Sequence, residues 1–339
     1  MKYNIGMFGG SFDPLHIGHI NNIIKAASQC NTLYIAISYS KLRDSIPVQI
    51  RYRWVKNIFK HLENVKIILL EDNAINKEEY NNDLYWEEGR DYILSQIGQS
   101  VDVVFCGSDY IGTKRYETLY GCNVIYFDRD EIPISSTDIR SNPFRYWDYI
   151  PNECREYFVK RVLFVGSEST GKSTLAANLS LSYNTNYLEE VGRDVCDYAG
   201  SEDLMIEEDF QEILLRHKLK EQDMIKSSNK ILFVDTDAVT TKFYSRFLLT
   251  DGGEKERIDC LANAISALNK FDIVFFLEPT VAFIQDGTRN VRIEEDRALY
   301  SNQLKGLLKE ANINYHSLSG DYLERFEEAK KIINKTFNI

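Results

Sequence analysis

Two histidines that can face one phosphate group lie in the string GGSFDPLHIGH at residues 9–19. The string leaves a strand-like apolar run and enters a helical pattern, so His16 and His19, three residues apart, point to the same side. The free N–H groups at the start of that helix favour an anion. Imidazoles placed there can donate to phosphate oxygens as negative charge builds in a transition state. We therefore predict that His16 and His19 are catalytic, and that the nucleotide is bound by Gly9, Gly10 and Phe12.

Two plainer interpretations of these histidines remain open. They can cap a helix and pack in the core, or they can bind a metal ion as an HxxH pair. No third ligand at a sensible spacing is visible in the sequence, so the metal hypothesis is the weaker one.

A second string, ISSTDIR at residues 134–140, offers hydroxyls, a helix start and a guanidinium. Ser135, Ser136 and Thr137 can bind a nucleotide phosphate through hydroxyl and helix N–H groups. Arg140 presents a fork of donors that fits phosphate oxygens, and we predict that it is catalytic. A plain helix cap is the structural alternative for this string taken alone.

The string GSESTGKS at residues 166–173 has the pattern GxxxxGK[ST] between a strand-like run and a helical pattern. In that context the loop N–H groups cradle phosphates, Lys172 reaches the β- and γ-phosphate oxygens, and Ser173 binds magnesium. A glycine turn beside a surface lysine is the alternative. We predict a P-loop for ATP and Mg²⁺, with Lys172 catalytic and with nucleotide contacts from Gly166, Ser169, Thr170, Gly171, Lys172, Ser173 and Thr174.

Carboxylates close to this loop are candidates for binding magnesium and the phosphate acceptor. An apolar run ends in Asp235, and the carboxyl end of a buried strand is where a doubly wound fold places its site. We predict that Asp235 is catalytic and binds the metal. Asp237 is the second choice and a predicted substrate-binding residue, with a helix cap as its alternative. Glu190 and Arg193 are predicted to hold the acceptor, with a solvated ion pair as the alternative.

A polar stretch at residues 286–297 carries three arginines before a helical pattern. Such a segment suits a lid that closes over the nucleotide and excludes water. Arg289 and Arg292 are the predicted nucleotide-binding residues, and with Arg297 they would neutralise the transferring phosphoryl group. A basic surface loop is the alternative.

The elements that must position these residues are short apolar runs alternating with helical patterns. Such an alternation predicts α/β domains, each with a parallel sheet covered by helices on both faces. Ile17, Ile20, Ile24 and Ala27 share one helical face, and Pro47 suits the first residue of a helix reaching about residue 61. The predicted strands are 3–8, 33–37, 65–70, 101–106, 124–127, 161–165, 231–234, 273–277 and 313–316. The predicted helices of the second half are 172–182, 206–226, 237–248, 254–269, 296–311 and 321–335.

Length and composition set the class of protein. The chain has 339 residues, and at about 150 residues per domain this suggests two domains, for which we predict the bounds 1–155 and 156–339. A net charge of -11 argues against a general nucleic-acid partner. The six cysteines are scattered, which is typical of reduced thiols that mostly fill the core. With no signal peptide and no apolar run of about 18 residues, we expect a cytoplasmic protein with no membrane partner; homo-oligomer formation stays open.

The strings at 9–19 and 134–140 resemble the HxGH and ISSTxIR signatures of the nucleotidyltransferase superfamily, which adenylylates small phosphorylated molecules. In that superfamily the acceptor phosphate attacks the α-phosphorus of ATP directly, and pyrophosphate leaves. With the P-loop and the strings at 142–151, 192–194, 235–241 and 286–289, the chain resembles the bifunctional nicotinamide-nucleotide adenylyltransferase/ribosylnicotinamide kinase family from residue 3 to about residue 335.

The resemblance implies a Rossmann-like transferase domain at 1–155 and a P-loop kinase domain at 156–339. The kinase would phosphorylate nicotinamide riboside with ATP to the mononucleotide, NMN. The transferase would join NMN to AMP from ATP, giving NAD. Nicotinamide riboside, NMN, ATP and NAD are thus the implied ligands, with Mg²⁺ as the metal.

The chain departs from the family at three places. Some members carry an N-terminal helix-turn-helix and repress transcription, whereas here a strand pattern starts at once, so we expect no repressor role. Members often have a tryptophan just before the lid, and here the nearest aromatic is Phe283. The Trp-rich segment that contacts the nicotinamide ring is replaced by residues 83–86. Trp86 is predicted to stack on the pyridinium face, with a core or surface aromatic as the alternative.

Three rival functions are weighed against this one. A phosphopantetheine adenylyltransferase fused to a dephospho-coenzyme A kinase has the same domain order, but the strings at 142–151 and 235–241 count against it. A flavin-adenylate synthase has a kinase without a P-loop, so Lys172 argues against it. The intact site residues disfavour a ligand-sensing regulator without activity. The general base of the kinase stays open among Asp235, Asp237 and Glu190, as does the preference for nicotinamide or nicotinic acid.

Overall fold

The computed structural model describes residues 2–74, 76–80, 82–284 and 291–339. The chain divides into two compact units, Met1–Arg155 (unit 1) and Glu156–Ile339 (unit 2). Each unit is built around a five-stranded sheet whose strands all pair in parallel. This is the α/β architecture that the alternation of apolar runs and helical patterns predicts.

Unit 1 alternates strands with helices from its first described residues. The strands are β1 (Tyr3–Gly10), β2 (Cys30–Tyr39), β3 (Val65–Glu71), β4 (Val103–Gly107) and β5 (Asn123–Phe127). The helices are α1 (Ile17–Ala27), α2 (Val48–Ile58), α3 (Lys77–Tyr80), α4 (Asp83–Ile97), α5 (Arg115–Tyr120), α6 (Ser136–Ser141) and α7 (Asn152–Arg155). Single 3₁₀ turns lie at Ser108–Tyr110, Arg129–Glu131 and Trp147–Tyr149. Each strand overlaps the one predicted from its apolar run.

The sheet of unit 1 has the strand order β3-β2-β1-β4-β5. The central strand β1 pairs with β2 on one side, where Gly9 lies opposite Ala36, and with β4 on the other, where Gly6 lies opposite Val103. The chain order therefore reverses between β1 and β4. Open α/β sheets bind ligands outside the carboxyl ends of their strands at such a point, and the string at 9–19 begins there.

Two local predictions for unit 1 need correction. The buried face of α1 is formed by Ile23, Ala26 and Ala27, whereas Ile24 is 46% exposed. Of the predicted face only Ala27 is buried, so the inward face is turned by about one residue from the predicted one. Pro47 occupies the position before α2 rather than its first turn, and α2 ends at residue 58.

Unit 2 repeats the alternation with longer helices. Its strands are β6 (Lys160–Val165), β7 (Tyr187–Leu188), β8 (Ile231–Asp235), β9 (Ile273–Leu277) and β10 (His316–Leu318). Its helices are α8 (Lys172–Ser182), α9 (Val191–Ala199), α10 (Glu207–Ser227), α11 (Ala238–Leu248), α12 (Gly252–Leu268), α13 (Val291–Glu295), α14 (Arg297–Glu310) and α15 (Tyr322–Phe337). A 3₁₀ turn lies at Glu202–Leu204.

The sheet of unit 2 has the strand order β10-β9-β6-β8-β7. The central strand β6 is buried from residue 162 to residue 165, so it is covered on both faces. Its Phe164 lies opposite Asp235 of β8, which brings the end of β8 beside the P-loop that follows β6.

The last predicted strand overlaps the observed strand by fewer residues than the other predicted strands do. The apolar run at 313–316 predicts a strand, but β10 begins only at His316, opposite Phe275. Asn312 adopts a left-handed conformation with φ 54°, and Ile313 donates its backbone N–H to Leu308. The run therefore completes the end of α14 before the chain can extend.

Two further properties of the chain concern membranes and thiols. None of the helices in the described part of the chain combines the length and apolar composition that crossing a bilayer requires. All six cysteines are free. Cys30, Cys106 and Cys154 are buried, two others are partly buried, and Cys260 is exposed, so only half of them are core residues.

Candidate active sites

A cleft of about 1090 Å³ lies in unit 1 around the reversal point of its sheet. The two strings that are far apart in sequence meet there. Among the residues lining the cleft are Gly9, Gly10, His16, His19, Ser135, Ser136, Thr137 and Arg140. A Cβ on Gly9 would meet no atom within 4 Å, so the backbone is open towards a ligand at that position.

The histidine pair is rigid and uncharged. The His16 and His19 rings stack with centroids 3.6 Å apart, and Nδ1 of His16 accepts the backbone N–H of His19 at 3.3 Å. The remaining ring proton of His16 therefore lies on Nε2. Burial, followed by the charge of Arg129, lowers the pKa of His16 to about 4. Burial, followed by the charges of His16 and Arg129, lowers the pKa of His19 well below its usual value.

Phe12 is not among the residues that line the cleft, and its role in binding the nucleotide stays a prediction. Its ring is completely buried because it packs against Phe8 at 6.2 Å and edge-on against His19 at 5.0 Å. Its backbone is left-handed, with φ 50°. Phe12 thus supports a catalytic candidate from behind.

The helix α6 brings the second string onto the first. Its cap is Ser135, whose side chain accepts the backbone N–H of Asp138 at 3.1 Å, in a reciprocal capping box. Ser136 Oγ donates to the carbonyl of Pro14 at 2.8 Å. Arg140 donates to the carbonyl of Asp13, and its other nitrogen donates to Thr137 Oγ1 at 3.0 Å. The capping role, which the sequence left as an alternative, is therefore filled by Ser135.

Sequence reasoning missed two arginines of unit 1, of which Arg129 is at this cleft. Arg129 lines the cleft and pairs with Asp109 at 3.0 Å, and its charge reaches both histidines. Its position directly after the last strand of the sheet was the available signal. Arg51 is fully buried and donates to the carbonyls of Ile46 at 2.9 Å and Ser38 at 3.2 Å; no local pattern marks it.

Trp86 lies in the aromatic wall of the same cleft. Its indole N–H donates to the Tyr80 carbonyl at 2.6 Å, and its ring packs edge-on against Tyr116 at 5.9 Å. The guanidinium of Arg115 lies 4.9 Å from its ring centroid. Trp86 is thus both a packed aromatic and a lining residue.

The P-loop of unit 2 runs from the end of β6 into α8. A Cβ on Gly166 would lie 2.8 Å from the Leu277 carbonyl, and Gly171 has a φ of 85°, so glycine is needed at both positions. Lys172 is buried and donates to the Ser167 carbonyl at 3.1 Å. The loop residue Thr170 is fully buried and its hydroxyl donates to the same carbonyl at 2.8 Å.

The flanking P-loop residues differ in exposure. Ser169 has a φ of 54°, and its hydroxyl accepts the backbone N–H of Ile284 at 2.8 Å. Thr174 lies in the first turn of α8 and is exposed. Ser169 is therefore held by the backbone at Ile284, whereas Thr174 is open to solvent.

Ser173 and Asp235 meet beside the P-loop. Ser173 Oγ donates to Asp235 Oδ2 at 2.5 Å. Asp235 is fully buried, and its Oδ1 has no hydrogen-bond partner within the described residues. Burial, followed by the charge of Glu190, raises the pKa of Asp235 to about 6. A buried carboxylate oxygen without a partner beside a hydroxyl is a fitting donor set for a hard cation.

Asp237 has the structural role that the sequence left as its alternative. It caps α11 by accepting the backbone N–H groups of Val239 at 3.1 Å and Thr240 at 3.2 Å. Burial raises its pKa to about 6. Asp237 does not line the pocket beside the P-loop.

Glu190 and Arg193 line a small pocket of about 100 Å³ beside the P-loop. Arg193 Nε donates to Glu190 Oε2 at 3.3 Å, so the predicted acceptor-binding pair is also an ion pair. Glu190 is the residue immediately before α9.

The predicted lid, residues 286–297, is only partly described. Arg289 lies outside the described residues, and of Arg292 only the backbone, in α13, is described. Arg297 donates to the carbonyls of Val281 at 2.7 Å and Ser169 at 3.1 Å. This arginine therefore ties the lid segment to the P-loop.

Arg325 of α15 is a residue that sequence reasoning missed. It is buried and donates to the Thr170 carbonyl, to the Glu278 carbonyl at 2.7 Å and to Thr280 Oγ1 at 2.7 Å. No local pattern identifies it, because its partners lie at least 45 positions away. It fixes the P-loop against the end of β9.

The two-histidine metal hypothesis receives no support from neighbouring side chains. Within residues 2–74, 76–80, 82–284 and 291–339, no group of three or more His, Cys, Asp or Glu side chains is arranged to hold a metal ion. His16 and His19 thus stay a stacked, uncharged pair.

Comparisons with known proteins cover both units. A cytidylyltransferase-like family model matches residues 7–142 and an AAA-domain model matches residues 161–325. The chain is similar to the trifunctional NAD biosynthesis/regulator protein NadR of Salmonella typhimurium, at 32% identity over 98% of this chain and 83% of that relative.

Solved structures show the same likeness over the whole chain. A crystal structure of NadR protein in complex with NR has a TM-score of 0.83 and 26% identity, covering 100% of this chain and 97% of that one. Another, of NadR protein in complex with NAD and AMP-PNP, has a TM-score of 0.81 and 25% identity, covering 99% and 96%. With both strings, the P-loop and nearly the full length matched, the chain belongs to the NadR family.

Proposed function

We propose that this chain makes NAD from nicotinamide riboside in two ATP-dependent steps. Unit 2, assigned to residues 156–339, phosphorylates the riboside to NMN. Unit 1, assigned to residues 1–155, joins NMN to AMP and releases pyrophosphate. The observation that carries the proposal is the presence of two separate phosphate-handling sites in one chain of the NadR family, whose solved members hold NR, NAD and AMP-PNP.

In unit 1 the acceptor phosphate oxygen of NMN attacks the α-phosphorus of ATP. The bond from that phosphorus to the bridging oxygen breaks, and pyrophosphate leaves with the electron pair. His16 is neutral and carries its ring proton on Nε2, so this N–H can donate to a phosphate oxygen. Together with His19 and Arg140 it stabilises the charge of the transition state, and the protein's contribution is positioning and electrostatics.

Ser135, Ser136 and Thr137 hold the nucleotide in the same cleft through hydroxyl and backbone N–H groups, and Gly9 and Gly10 also line that cleft. The aromatic wall around Trp86 accommodates the nicotinamide ring. Arg115 already covers the Trp86 ring at 4.9 Å, so the pyridinium either displaces that guanidinium or stacks on a neighbouring ring.

In unit 2 the 5′-hydroxyl of the riboside attacks the γ-phosphorus of ATP, and ADP leaves. Lys172 and the N–H groups of the P-loop balance the phosphate charge. The hydroxyl proton passes to Glu190. Of the three carboxylates open for this role, Asp237 caps α11 and Asp235 accepts from Ser173, whereas Glu190 lines the acceptor pocket. Arg193 keeps Glu190 in place.

Ser173 and Asp235 are the residues that would hold Mg²⁺. The partnerless, buried Oδ1 of Asp235 and the adjacent hydroxyl fit an oxygen-preferring cation. When bound, the ion neutralises charge on the β- and γ-phosphate oxygens. Arg289 and Arg292 stay proposed contacts of the lid to the phosphates.

Chromatography of the products from ATP, magnesium and nicotinamide riboside tests the proposal. Pure protein should release NMN first and NAD afterwards. NMN alone would show that unit 1 acts on another acceptor or is inactive. No product from the riboside, with turnover of phosphopantetheine or dephospho-coenzyme A instead, would overturn the proposal in favour of the coenzyme A fusion.

A further inference from the structure

A carboxylate lies inside the P-loop, where the loop has to bind a polyanion. Glu168 is the third residue of the string GSESTGKS, and its side chain is buried. A negative charge close to bound phosphates weakens their binding unless it is directed elsewhere. The side chain lines the pocket beside the P-loop and is hydrogen-bonded to the Tyr244 hydroxyl, so it is held on the acceptor side of the loop.

The acceptor pocket as a whole is acidic. Within the described part of the chain, six charged residues line it, four carboxylates and two cations. The cations are already engaged, since Lys172 donates to the Ser167 carbonyl at 3.1 Å and Arg193 pairs with Glu190 at 3.3 Å. The four carboxylates are Glu168, Glu190, Asp197 and Glu202.

Two neutral side chains of the pocket show that these carboxylates converge on one space. Burial, followed by the charges of Glu202, Asp197, Glu168 and Glu190, raises the pKa of Cys196 to about 11. Burial, followed by charges from three of the same carboxylates, raises the pKa of the Tyr244 phenol well above its usual value. The charges of Glu168, Glu190 and Glu202 therefore act on both Cys196 and Tyr244, which line the same pocket.

The pocket also has an apolar part, lined by Met205, Phe210, Ile213 and Leu248. The rest of its lining includes Ser169, Gly192, Thr236, Thr240 and Thr241. A flat ring with a delocalised positive charge suits such a space, because the ring packs on apolar side chains and its charge is stabilised by nearby carboxylates. A neutral base would gain only the packing.

We propose that Glu168, assisted by Glu202, makes the acceptor pocket selective for nucleosides whose base carries a positive charge. This inference rests on the proposed riboside kinase activity and adds the feature of the substrate that is recognised. Phosphorylation at the 5′-hydroxyl leaves the charge of an N-ribosylpyridinium unchanged, so the interaction holds from binding to product. The carboxamide of the base is then a secondary determinant, and other N-ribosylpyridinium compounds are accepted before adenosine, cytidine or uridine.

The test compares nicotinamide riboside with its 1,4-dihydro form, which keeps the ribose and the carboxamide but has a neutral ring. Phosphorylation of each is measured by chromatography with saturating ATP and magnesium. The wild-type protein should have a kcat/KM at least tenfold higher for the cation. Glu168→Gln keeps an oxygen acceptor for Tyr244 and removes the charge, and it should lower the ratio of the two kcat/KM values about tenfold, mainly through KM of the cation.

Matched variants separate a local effect from a general one. Asp194→Asn removes the same charge from an exposed residue of α9 that pairs with Arg216 at 3.0 Å and does not line the pocket, so it should leave the ratio unchanged. Glu202→Gln should lower the ratio by a smaller factor, and the double variant should lower it further. Adenylylation of NMN by the same samples reports whether the protein is folded.

Each outcome has a distinct meaning. If the wild type phosphorylates neither riboside, the proposed kinase activity fails. If it phosphorylates both equally, or if Glu168→Gln lowers both kcat/KM values by the same factor, charge selection by Glu168 is overturned while the kinase activity stands. A ratio that falls as much in Asp194→Asn as in Glu168→Gln would also overturn it, because the effect would then come from net charge.

Discussion

The phosphate-handling sites of the two units respond to burial in opposite ways. In unit 1 burial lowers the pKa of His16 to about 4, so its imidazole is a neutral donor throughout the physiological range. In unit 2 burial raises the pKa of Asp235 to about 6, so its carboxylate loses charge just below neutral pH. Both sites lie at the carboxyl ends of a parallel sheet. Burial disfavours the charged form of each group, which is the imidazolium of His16 and the carboxylate of Asp235. It therefore makes the site of unit 1 insensitive to mild acid and the site of unit 2 sensitive to it.

The two sites share one device, a buried arginine that fixes the loop after the central strand. Arg51 holds the loop of unit 1 through the backbone carbonyl of Ser11, 40 positions away, and also contacts Asp44. Arg325 holds the P-loop of unit 2 through two carbonyls and a hydroxyl. Neither arginine is within reach of its loop along the sequence, so the common device is a property of the folded chain.

Removing one candidate catalytic side chain should have the largest effect, because each removal should abolish one half-reaction and spare the other. Lys172→Ala should lower formation of NMN by at least about 10³-fold and leave adenylylation of supplied NMN unchanged, because its charge serves unit 2 alone. His19→Ala should do the converse. The two half-reactions, assayed separately on each variant, check this, and activity unaltered by either substitution would show that the site assignment is wrong.

The pH dependence of the two half-reactions should differ by about an order of magnitude. The Asp235 carboxylate, with a pKa of about 6, is about one-tenth ionised at pH 5 and mostly ionised at pH 7. Kinase kcat/KM should therefore fall about tenfold between pH 7 and pH 5. An imidazole with a pKa of about 4 stays neutral over that range, so the transferase should change by no more than about twofold.

Magnesium provides the control for this pH effect. If Asp235 holds the ion, a higher magnesium concentration should move the kinase midpoint to lower pH, because the metal competes with the proton for the carboxylate. A kinase profile that is flat from pH 5 to pH 7 at limiting magnesium would contradict the assignment of Asp235.

The buried Arg51 and Arg325 should each stabilise only the unit in which they lie. Arg325→Met should lower the free energy of unfolding of unit 2 by about 3 kcal/mol, because several backbone carbonyls lose a charged donor, and it should weaken ATP binding there. Arg51→Met should act in the same way on unit 1. Denaturant titration with both activities as probes measures this, and the exposed Arg145→Met serves as the matched control with an expected change below about 0.5 kcal/mol.

The smallest expected effect separates Asp237 from Asp235. Asp237→Asn keeps an oxygen that can cap α11, so it should change stability by only a few tenths of a kcal/mol, whereas Asp237→Ala should cost about 1 kcal/mol. Kinase kcat should stay within about threefold in the asparagine variant if capping is the main role. A loss as large as that of Lys172→Ala would instead return Asp237 to the list of reacting groups.

Much of the fold could be predicted because its strands are buried on both faces. Ile273–Leu277 and Lys172–Ser182 match the predicted strand and helix residue for residue, since an uninterrupted apolar run and a glycine-ended loop are unambiguous local patterns. The strand predicted from the apolar run at 313–316 begins too early, because the first residues of that run complete the end of α14. The inward face of α1 was predicted wrongly in part because Ile23 and Ala26 are buried there, whereas Ile24 is exposed.

The sequence by itself determined the α/β class and the candidate phosphate-binding strings at 9–19 and 166–173. Each of these two strings lies at a strand, a glycine-containing turn and a helix within one short stretch of chain. Only the tertiary structure decided which charges reach those strings. Arg325 and Thr170 are 155 positions apart, and Glu168 turns to Tyr244 across the acceptor pocket. Local patterns record periodicity and turn chemistry, whereas the potential inside a site depends on distances between residues that only folding brings together.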